Sequence, residues 1–417
     1  MSWSQASLAP LHERQFRLLF LGQAISVVGT LLSVVALPFA VLSIGGSATD
    51  IGIVEAAYLV PLAAMLLFGG VWADRLPRRL VMLVADLVRA AAQVGVATLL
   101  LTGQARIWHL VLLQVAMGAG EAFFRPAYFG LLPQIVPAHH LQQANALNGL
   151  VASGSITVGS IGGGLLVAAV GPGWAIGIDA ITYLASAVFL GLMQPLARVQ
   201  RTAGQRLIAD LRAGWTEFRS HRWLWVMVVG AAAFLFATQA PYSVLGPVVT
   251  QEFYEGARTW GFMAAALGVG QIAGGLLALR WRPRRPLLVV AAGLSLSALP
   301  PALLAVHAPT PALLAAAVIL GVEWGLYHPF WMTALQQRIA PEMLSRVSSY
   351  DYLGSLAIFP LGLAVAGPLG DGFGVSATLV AAAVAAVVIS GVLVSTRGVR
   401  ELRRIDDGCE AVPQAEG

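Results

Sequence analysis

Long apolar segments separated by short polar turns repeat along almost the whole chain. Twelve of them hold enough apolar residues, about 20 each, to cross a hydrocarbon core of about 30 Å as a helix. The apolar runs are continuous rather than alternating, which favours helices over the strands of a barrel. The predicted spans are residues 16–43, 50–73, 80–102, 107–131, 141–170, 174–194, 222–249, 257–279, 286–306, 311–334, 346–369 and 373–396. This pattern predicts an all-α integral membrane protein of twelve transmembrane helices.

The composition indicates that lipid, not water, is the solvent of this chain. Of the 417 residues, 58% are hydrophobic and 11% are charged, whereas a soluble domain usually carries about 25% charged residues. All 25 basic residues are arginine, so the chain has neither a P-loop nor a lysine Schiff base. It also lacks the HExxH and GxSxG motifs and any His/Cys cluster with metal-ligand spacing. We therefore expect a protein that is not an enzyme and that binds neither a cofactor nor a metal.

The placement of the arginines predicts the orientation of the chain. They cluster before helix 1, after helices 2, 8 and 10, in the middle linker and in the tail, whereas the opposite loops hold Arg106 and Arg258. The positive-inside rule then places both termini in the cytoplasm, with the chain in the cell (inner) membrane. Because these arginines lie in short loops between apolar spans, they indicate topology and not a nucleic-acid-binding face.

The two halves of the sequence resemble each other. Gly69-Gly70 followed by Pro77-Arg78-Arg79 recurs as Gly274-Gly275 followed by Pro283-Arg284-Arg285, and Pro126 corresponds to Pro329. Such internal repeats are typical of transporters that hold a substrate between their halves, near the midplane. We predict an N-terminal six-helix bundle (1–194), a C-terminal six-helix bundle (222–396) and a cytoplasmic tail (397–417). Between the bundles, an amphipathic linker (195–221) is expected to lie at the membrane surface.

Several motifs resemble the major facilitator superfamily over essentially the whole chain. The superfamily's loop motif Gly-x-x-x-Asp-Arg-x-Gly-Arg-Arg reads Gly70-Val71-Trp72-Ala73-Asp74-Arg75-Leu76-Pro77-Arg78-Arg79 here, with proline in place of the second glycine. Helix 5 reads Gly159-Ser160-Ile161-Gly162-Gly163-Gly164 and resembles the antiporter motif Gly-Pro-x-x-Gly-Gly, with serine in place of proline. Phrases such as Leu132-Pro133-Gln134-Ile135-Val136-Pro137 resemble the drug:proton antiporter branch that includes macrolide efflux proteins and the enterobactin exporter.

The resemblance implies a conformational latch at the cytoplasmic side. In the superfamily this loop motif is thought to hold the two halves together when the cytoplasmic side is closed. The alternative is a basic turn that only sets the topology. Asp351 is expected in the first turn of helix 11, as an N-terminal helix charge and partner of an arginine from the basic loops. The predicted latch residues are Gly70, Asp74, Arg75, Arg78, Arg79 and Asp351, and the predicted antiporter-like glycines are Gly159, Gly163 and Gly164.

Ionisable residues inside the predicted spans are candidates for proton coupling, because they are costly in lipid. Desolvation penalises an ionised carboxyl group, so such a group can take up a proton on one side and release it on the other. Glu323 has no arginine within a turn and is the leading candidate; Glu121, Asp86 and Glu55 are the others. The spacings also allow Asp86 to pair with Arg89, and Glu121 with Arg125, within each helix. Alternatively, Arg125 keeps Glu121 ionised, and Glu121 then binds a cationic substrate. For Glu55 the alternative is a side chain that extends to the membrane interface.

Aromatic and polar residues on helices 4, 7 and 10 are candidates for lining a substrate cavity. Rings bind planar or cationic organic molecules by stacking and by cation–π contact, although aromatic residues in membrane helices more often pack or face lipid. When Pro126 is aligned with Pro329, Arg125 lies opposite His328. The predicted cavity residues are Arg125, Phe123, Phe124, Phe236, Trp324, Tyr327 and His328.

These features together predict a secondary active transporter that exports amphipathic organic compounds, such as drugs, antibiotics or a siderophore, in exchange for protons. The expected partners are a small-molecule substrate, protons and the lipid bilayer, with no nucleic acid, and a monomer is expected to be functional. Two alternatives stay open at this point. One is a proton-coupled nutrient importer, and the other is a lipid flippase or a non-transporting membrane protein.

Overall fold

The computed structural model describes residues 9–195 and 207–403. Within that part, the side chains of residues 66–75, 138, 142, 207–213, 341, 342, 345 and 346 are outside the description. The predicted tail beyond residue 403, with Cys409, and linker residues 196–206 also lie outside the described residues.

The described part of the chain is helical throughout and contains twelve helices that are long and apolar enough to cross a membrane. The first six are α1 (Arg14–Ser43), α2 (Ala48–Arg75), α3 (Arg78–Leu101), α4 (Ile107–Ile135), α5 (Leu141–Val170) and α6 (Pro172–Leu192). The second six are α7 (Arg222–Phe253), α8 (Ala257–Arg280), α9 (Pro286–Ala305), α10 (Thr310–Arg338), α11 (Pro341–Leu356 and Phe359–Phe373) and α12 (Val375–Ser395). The twelve predicted spans are confirmed.

Some predicted helix ends are wrong. α4 and α10 continue to Ile135 and Arg338, beyond the predicted residues 131 and 334 and past Pro126 and Pro329. A proline removes one backbone donor, and neighbouring helices in a membrane protein re-satisfy the freed group. α11 begins five residues earlier than predicted, at Pro341, because proline suits the first position of a helix.

The helices form two bundles with matching internal contacts. In the first half α1 packs on α5 and α6, and α4 packs on α2 and α3. In the second half α7 packs on α11 and α12, and α10 packs on α8 and α9. Because each of these contacts in the first half has its counterpart six helices later, the halves are pseudo-symmetric. One end of the molecule, the arginine-rich face, carries the helix ends at Arg14, Arg78, Arg222 and Arg338; the other end is called the opposite face.

The two halves meet along two seams, α2 against α11 and α5 against α8. A Cβ atom on Gly52 would lie 2.1 Å from the carbonyl oxygen of Leu363, and one on Gly367 would lie 2.3 Å from the backbone of Thr49. In the other seam, a Cβ atom on Gly164 would lie 2.7 Å from the carbonyl oxygen of Ala257. These contacts lie towards the opposite face, because α2 and α8 begin there. Glycine is therefore required for the close approach of the halves at that end.

A second set of glycines brings α8 and α10 together inside the second half. A Cβ atom on Gly274 would lie 2.3 Å from the carbonyl oxygen of Val322, and one on Gly321 would lie 2.1 Å from that of Leu267. Small residues let backbones of membrane helices approach closely. The crossing fixes the stretch of α10 that carries Glu323.

We expect Gly274→Ala to destabilise the protein by about 1–3 kcal/mol, since the added methyl group overlaps a carbonyl oxygen that cannot move away. Its neighbour offers a matched control, because nothing lies within 4 Å of a Cβ atom on Gly275. The melting temperature of the purified variants in detergent measures the difference. Equal melting temperatures for the two variants would show that the crossing is not tight.

Two helices of the second half depart from α-helical geometry in their middle. α7 contains a π-helical turn at Leu235–Gln239, and α9 contains a 3-10 segment at Leu294–Ala298. The hydroxyl group of Ser390 on α12 donates to the carbonyl oxygen of Ala291 at 2.7 Å, just before the change in α9. Such irregular turns often mark functional sites, and both lie beside the cavity described below.

The described part of the linker contains a helix, Leu207–Ser220. This linker helix packs on α11, where the ring of Phe218 is buried and lies 6.1 Å from that of Tyr350. The second bundle covers the ring of Phe218; that the linker lies at the membrane surface stays a prediction.

Candidate functional site

A cavity of about 550 Å³ lies in the second half and faces the first half. Its wall is mostly apolar and aromatic, and one acidic residue, Glu323, belongs to it. α5 of the first half contributes Ser153. The lining residues are Ser153, Met227, Ala231, Phe234, Leu235, Gln271, Gly275, Leu294, Glu323, Trp324, Gly325, Tyr327, His328, Pro329 and Ser355. A pocket of this size and chemistry suits a drug-sized organic molecule.

Glu323 is buried, and neither of its carboxyl oxygen atoms has a hydrogen-bond partner among the described residues. The side chain packs against α9, because its Cγ lies 3.0 Å from where a Cβ atom on Gly293 would be. No arginine or histidine forms an ion pair with it in the described part of the chain. An unpaired carboxyl group inside a membrane is costly when ionised. Glu323 therefore has the chemistry of a group that takes up a proton.

The acidic residues of the first half have a different environment. Arg89 pairs with Asp86 one turn before it on α3, and its Nη1 lies 2.6 Å from Glu121 Oε2 on α4. Arg125 Nε lies 2.6 Å from the other oxygen atom of Glu121. The guanidinium group of Arg89 also stacks on the ring of Phe124, at 4.2 Å from its centre. Two carboxylates are thus balanced by two guanidinium groups.

This ion-pair cluster forms hydrogen bonds with residues of both bundles. Ser186 on α6 donates to Asp86 Oδ2 at 2.6 Å, while Arg125 Nη1 donates to the hydroxyl oxygen of Tyr352 on α11 at 3.2 Å. Arg125 is about half exposed, whereas Asp86 and Arg89 are buried. The cluster therefore holds α3, α4 and α6 together and contacts the second half through one side chain.

Asp179 on α6 is a further buried acid of the first half. The side-chain amide of Gln93 donates to Asp179 Oδ2 at 2.6 Å and to Ser33 Oγ at 3.1 Å. These bonds connect α1, α3 and α6 in the core of the bundle, and hydrogen bonding is what a buried polar group requires.

The predicted cavity residues divide into two groups. Trp324, Tyr327 and His328 line the cavity, but Arg125, Phe123, Phe124 and Phe236 are outside its lining. Phe124 is covered by Arg89 and Phe123 packs in the core of the first half. Phe236 follows Phe234 and Leu235 into the π-helical turn, and its backbone packs on Gly362 of α11.

Gln271 and Ser153 line the cavity but were not predicted from the sequence, and Phe234 lines it where Phe236 was predicted. Gln271 lies one turn before the repeated Gly274-Gly275 pair, and that repeat was the available signal.

The predicted latch is described only in part. Gly70, Asp74 and Arg75 belong to the stretch 66–75, whose side chains are outside the description. Arg78 donates to the carbonyl oxygen of Gly130 on α4, and Arg79 Nε donates to that of Leu190 on α6 at 2.6 Å. These bonds join helix ends of the same bundle, so a latch between the halves stays a prediction.

The expected position of Asp351 is wrong, whereas an arginine partner for it stays a prediction. It lies in the third turn of α11, not the first, because the helix begins at Pro341. Its Oδ2 accepts a hydrogen bond of 2.9 Å from the indole nitrogen of Trp331, and none of the described residues gives it an arginine partner. Trp331 stacks in turn with Tyr327 of the cavity wall.

The antiporter-like glycines act as contact points of α5. A Cβ atom on Gly159 would lie 2.6 Å from Leu31 Cβ of α1, and one on Gly163 would lie 3.0 Å from the carbonyl oxygen of Leu32. Gly164 faces α8 in the seam between the halves.

Glu55 is half-buried on α2, one turn from Gly52, and makes no hydrogen bond or ion pair with the described residues.

Comparison with known proteins identifies the family. Residues 5–413 match the family described as transmembrane secretion effector. The chain is 28% identical over 420 residues to the multidrug efflux pump Tap of Mycobacterium tuberculosis, covering 96% of each chain. It is 22% identical over 372 residues to macrolide efflux protein A of Streptococcus pyogenes, covering 87% of this chain and 91% of that one.

Among solved structures, the nucleoside transporter NupG has a similar fold. The TM-score is 0.71 at 12% identity, covering 91% of this chain and 98% of that one. The match along almost the whole sequence, the twelve spans and the paired bundles agree with one another. The chain is a multi-pass membrane protein that belongs to the transmembrane secretion effector family of major facilitator superfamily transporters.

Proposed function

We propose that this protein exports amphipathic organic compounds across the cell membrane in exchange for protons, by alternating access and as a monomer. The single observation that carries the proposal is the contrast between its membrane carboxylates. Asp86 and Glu121 are neutralised by arginines, whereas Glu323 is buried at a drug-sized cavity without an ionic partner. A group in that environment binds and releases a proton as its access changes.

The proposed substrate class follows from the cavity wall. Phe234, Trp324 and Tyr327 offer ring faces, while Gln271 and His328 offer a few polar contacts. Rings attract aromatic and cationic organic molecules by stacking and by cation–π contact. Relatives named as multidrug and macrolide efflux proteins support the same class.

Alternating access is supported by the seams between the halves. They are tightest at the opposite face, where Thr49 Oγ1 of α2 donates to Asp371 Oδ2 of α11 at 2.8 Å. With both termini in the cytoplasm, as the arginine distribution predicts, that face is extracellular. The proposal is that the described conformation is closed to the outside and that transport requires these seams to open.

We expect Thr49→Val to favour the outward-open conformation by about three- to tenfold, the effect of losing one hydrogen bond. The labelling rate of Ala364→Cys at the seam, measured with a membrane-impermeant maleimide after replacing Cys409 with serine, reports the opening. Thr102→Val is the matched control, because the Thr102 hydroxyl group donates to Thr98 of its own helix. Equal rates for the two variants would argue against a releasable contact at Thr49.

The function is tested by a drug-susceptibility panel in a host that lacks its own efflux pumps. We expect the wild-type protein to raise the inhibitory concentration of several amphipathic compounds, and Glu323→Gln to remove that protection. Glu255→Gln should keep it, since Glu255 is an exposed residue paired with Arg258. A wild-type protein that protects against none of a broad panel would contradict the proposed export.

A further inference from the structure

The carboxyl group of Glu323 turns towards α9 and not into the open space of the cavity. Its residue belongs to the cavity wall, but both of its oxygen atoms are buried. The Oε1 atom lies 3.8 Å from where a Cβ atom on Gly293 would be, and the Cγ atom is closer still. A substrate in the cavity therefore meets the rings of α7 and α10 before it meets this carboxyl group.

Ser297 is one turn beyond Gly293 on α9, the residue against which the Glu323 side chain packs. Ser297 is 3% exposed, and its oxygen atom has no hydrogen-bond partner among the described residues. Serine in a membrane helix commonly donates to a carbonyl of the preceding turn. Ser295, two residues earlier, does this at 2.7 Å from the carbonyl oxygen of Ala292. Ser297 makes no such bond to the backbone, so its hydroxyl group can bond to another side chain.

Ser297 Oγ and both carboxyl oxygen atoms of Glu323 are thus buried without hydrogen-bond partners where α9 packs on α10. Buried polar atoms in folded proteins nearly always have a hydrogen-bond partner. A single proton on Glu323 decides which of the two side chains donates a hydrogen bond to the other. When Glu323 is protonated, its new O–H donates to Ser297 Oγ; when the proton leaves, the Ser297 O–H donates to the carboxylate instead. The pair therefore has a bonded arrangement in both protonation states.

We propose that Ser297 is the hydrogen-bond partner of Glu323 and completes a proton-binding site between α9 and α10, separate from the surface that holds the substrate. This inference rests on the proposed function, in which Glu323 carries the proton. Ser297 acts as a positioning residue. Its hydroxyl group stabilises the carboxylate and so sets the pH at which the proton is released.

The other titratable groups near this site are few. Tyr327 and His328 follow Glu323 on α10, and Asp351 of α11 lies near Tyr327, bonded to Trp331. The parts of α5, α7 and α8 that line the cavity contribute Ser153, Phe234, Leu235 and Gln271, which carry no charge. Among the described residues, Ser297 is thus the donor best placed to respond to the charge on Glu323.

The test is a pH titration of the purified protein by infrared difference spectroscopy, which needs no substrate. The C=O stretching band of the protonated Glu323 carboxyl group is assigned by its loss in Glu323→Gln. Without the Ser297 donor the carboxylate is less stable, so the group keeps its proton to higher pH. We expect Ser297→Ala to move the midpoint up by about one pH unit, because the hydrogen bond to the carboxylate is stronger than the one to the protonated carboxyl group. Ser297→Thr keeps the hydroxyl group and should restore the wild-type midpoint.

Ser295→Ala is the matched control, because it removes a hydroxyl group from the same 3-10 segment that is bonded to the backbone. Its midpoint should equal that of the wild type. Equal midpoints for Ser297→Ala and Ser295→Ala, with the band still lost in Glu323→Gln, would overturn the role of Ser297 alone. A pH-dependent carboxyl band that survives in Glu323→Gln, with no part lost, would overturn the proton site and with it the proposed coupling.

Discussion

Glu323→Gln should abolish transport driven by a pH gradient while leaving substrate binding intact. Glutamine has nearly the same volume as glutamate, but it cannot take up and release a proton. The rings of the cavity wall are unchanged by this substitution, so the substrate still binds. We expect pH-driven transport of ethidium into proteoliposomes to fall to the level of protein-free liposomes, with exchange of ethidium between the two sides preserved.

Two controls make this result specific to Glu323. Glu255→Gln removes an exposed carboxylate at the α7–α8 turn and should transport like the wild type. Glu121→Gln removes a carboxylate that two arginines hold, and we expect it to alter stability more than coupling. A Glu323→Gln variant that still follows the pH gradient would mean that another group carries the proton, with Glu55 as the next candidate.

The second large effect is expected at Arg89. Arg89→Met leaves Asp86 and Glu121 facing each other in a buried place without their shared cation. Removing one partner of a buried ion pair typically costs about 3–5 kcal/mol. We therefore expect little folded protein in the membrane, or a large drop in melting temperature in detergent.

Arg125→Met is the matched control for this prediction. Arg125 is about half exposed, and its loss leaves Glu121 paired with Arg89, so the drop in melting temperature should be much smaller. Adding Asp86→Asn to Arg89→Met removes the uncompensated charge, because Glu121 keeps Arg125 as its partner, and should restore part of the stability. An Arg89→Met protein as stable as the wild type would show that the cluster does not hold the first bundle together.

The fold was largely predictable from the sequence. The hydrocarbon core imposes a minimum helix length, so continuous apolar runs located all twelve spans to within a few residues. The errors arose where a proline was taken to mark a helix end or a loop. The helices were expected to end soon after Pro126 and Pro329, although helix packing in a membrane allows them to continue. Pro341 was read as part of a loop, although it begins α11.

The pairing of charged residues was predictable because helical spacing fixes which side chains on one helix can meet. Asp86 with Arg89 and Glu121 with Arg125 are such pairs. The bond from Arg89 to Glu121 joins two helices, and spacing along one helix says nothing about it. For the same reason the sequence could not show that Phe124 is covered by Arg89.

The cavity was the least predictable part. Its shape depends on how α7, α8 and α10 approach one another, which close glycine contacts decide over fractions of an ångström. α9 changes to 3-10 geometry at Leu294–Ala298, where the Ser295 hydroxyl group bonds to the backbone and that of Ser297 does not. No periodicity in the sequence marks that change, since both serines lie in an ordinary apolar span.

The central claim is that protons and an organic substrate cross the membrane in opposite directions through this protein. The most direct measurement is proton movement in everted membrane vesicles that carry the protein and are energised to form a pH gradient. If substrate is exchanged for protons, adding a lipophilic cation or a macrolide partly dissipates the gradient with the wild-type protein but not with Glu323→Gln. A gradient that stays unchanged with the wild-type protein across a broad panel of compounds would contradict it.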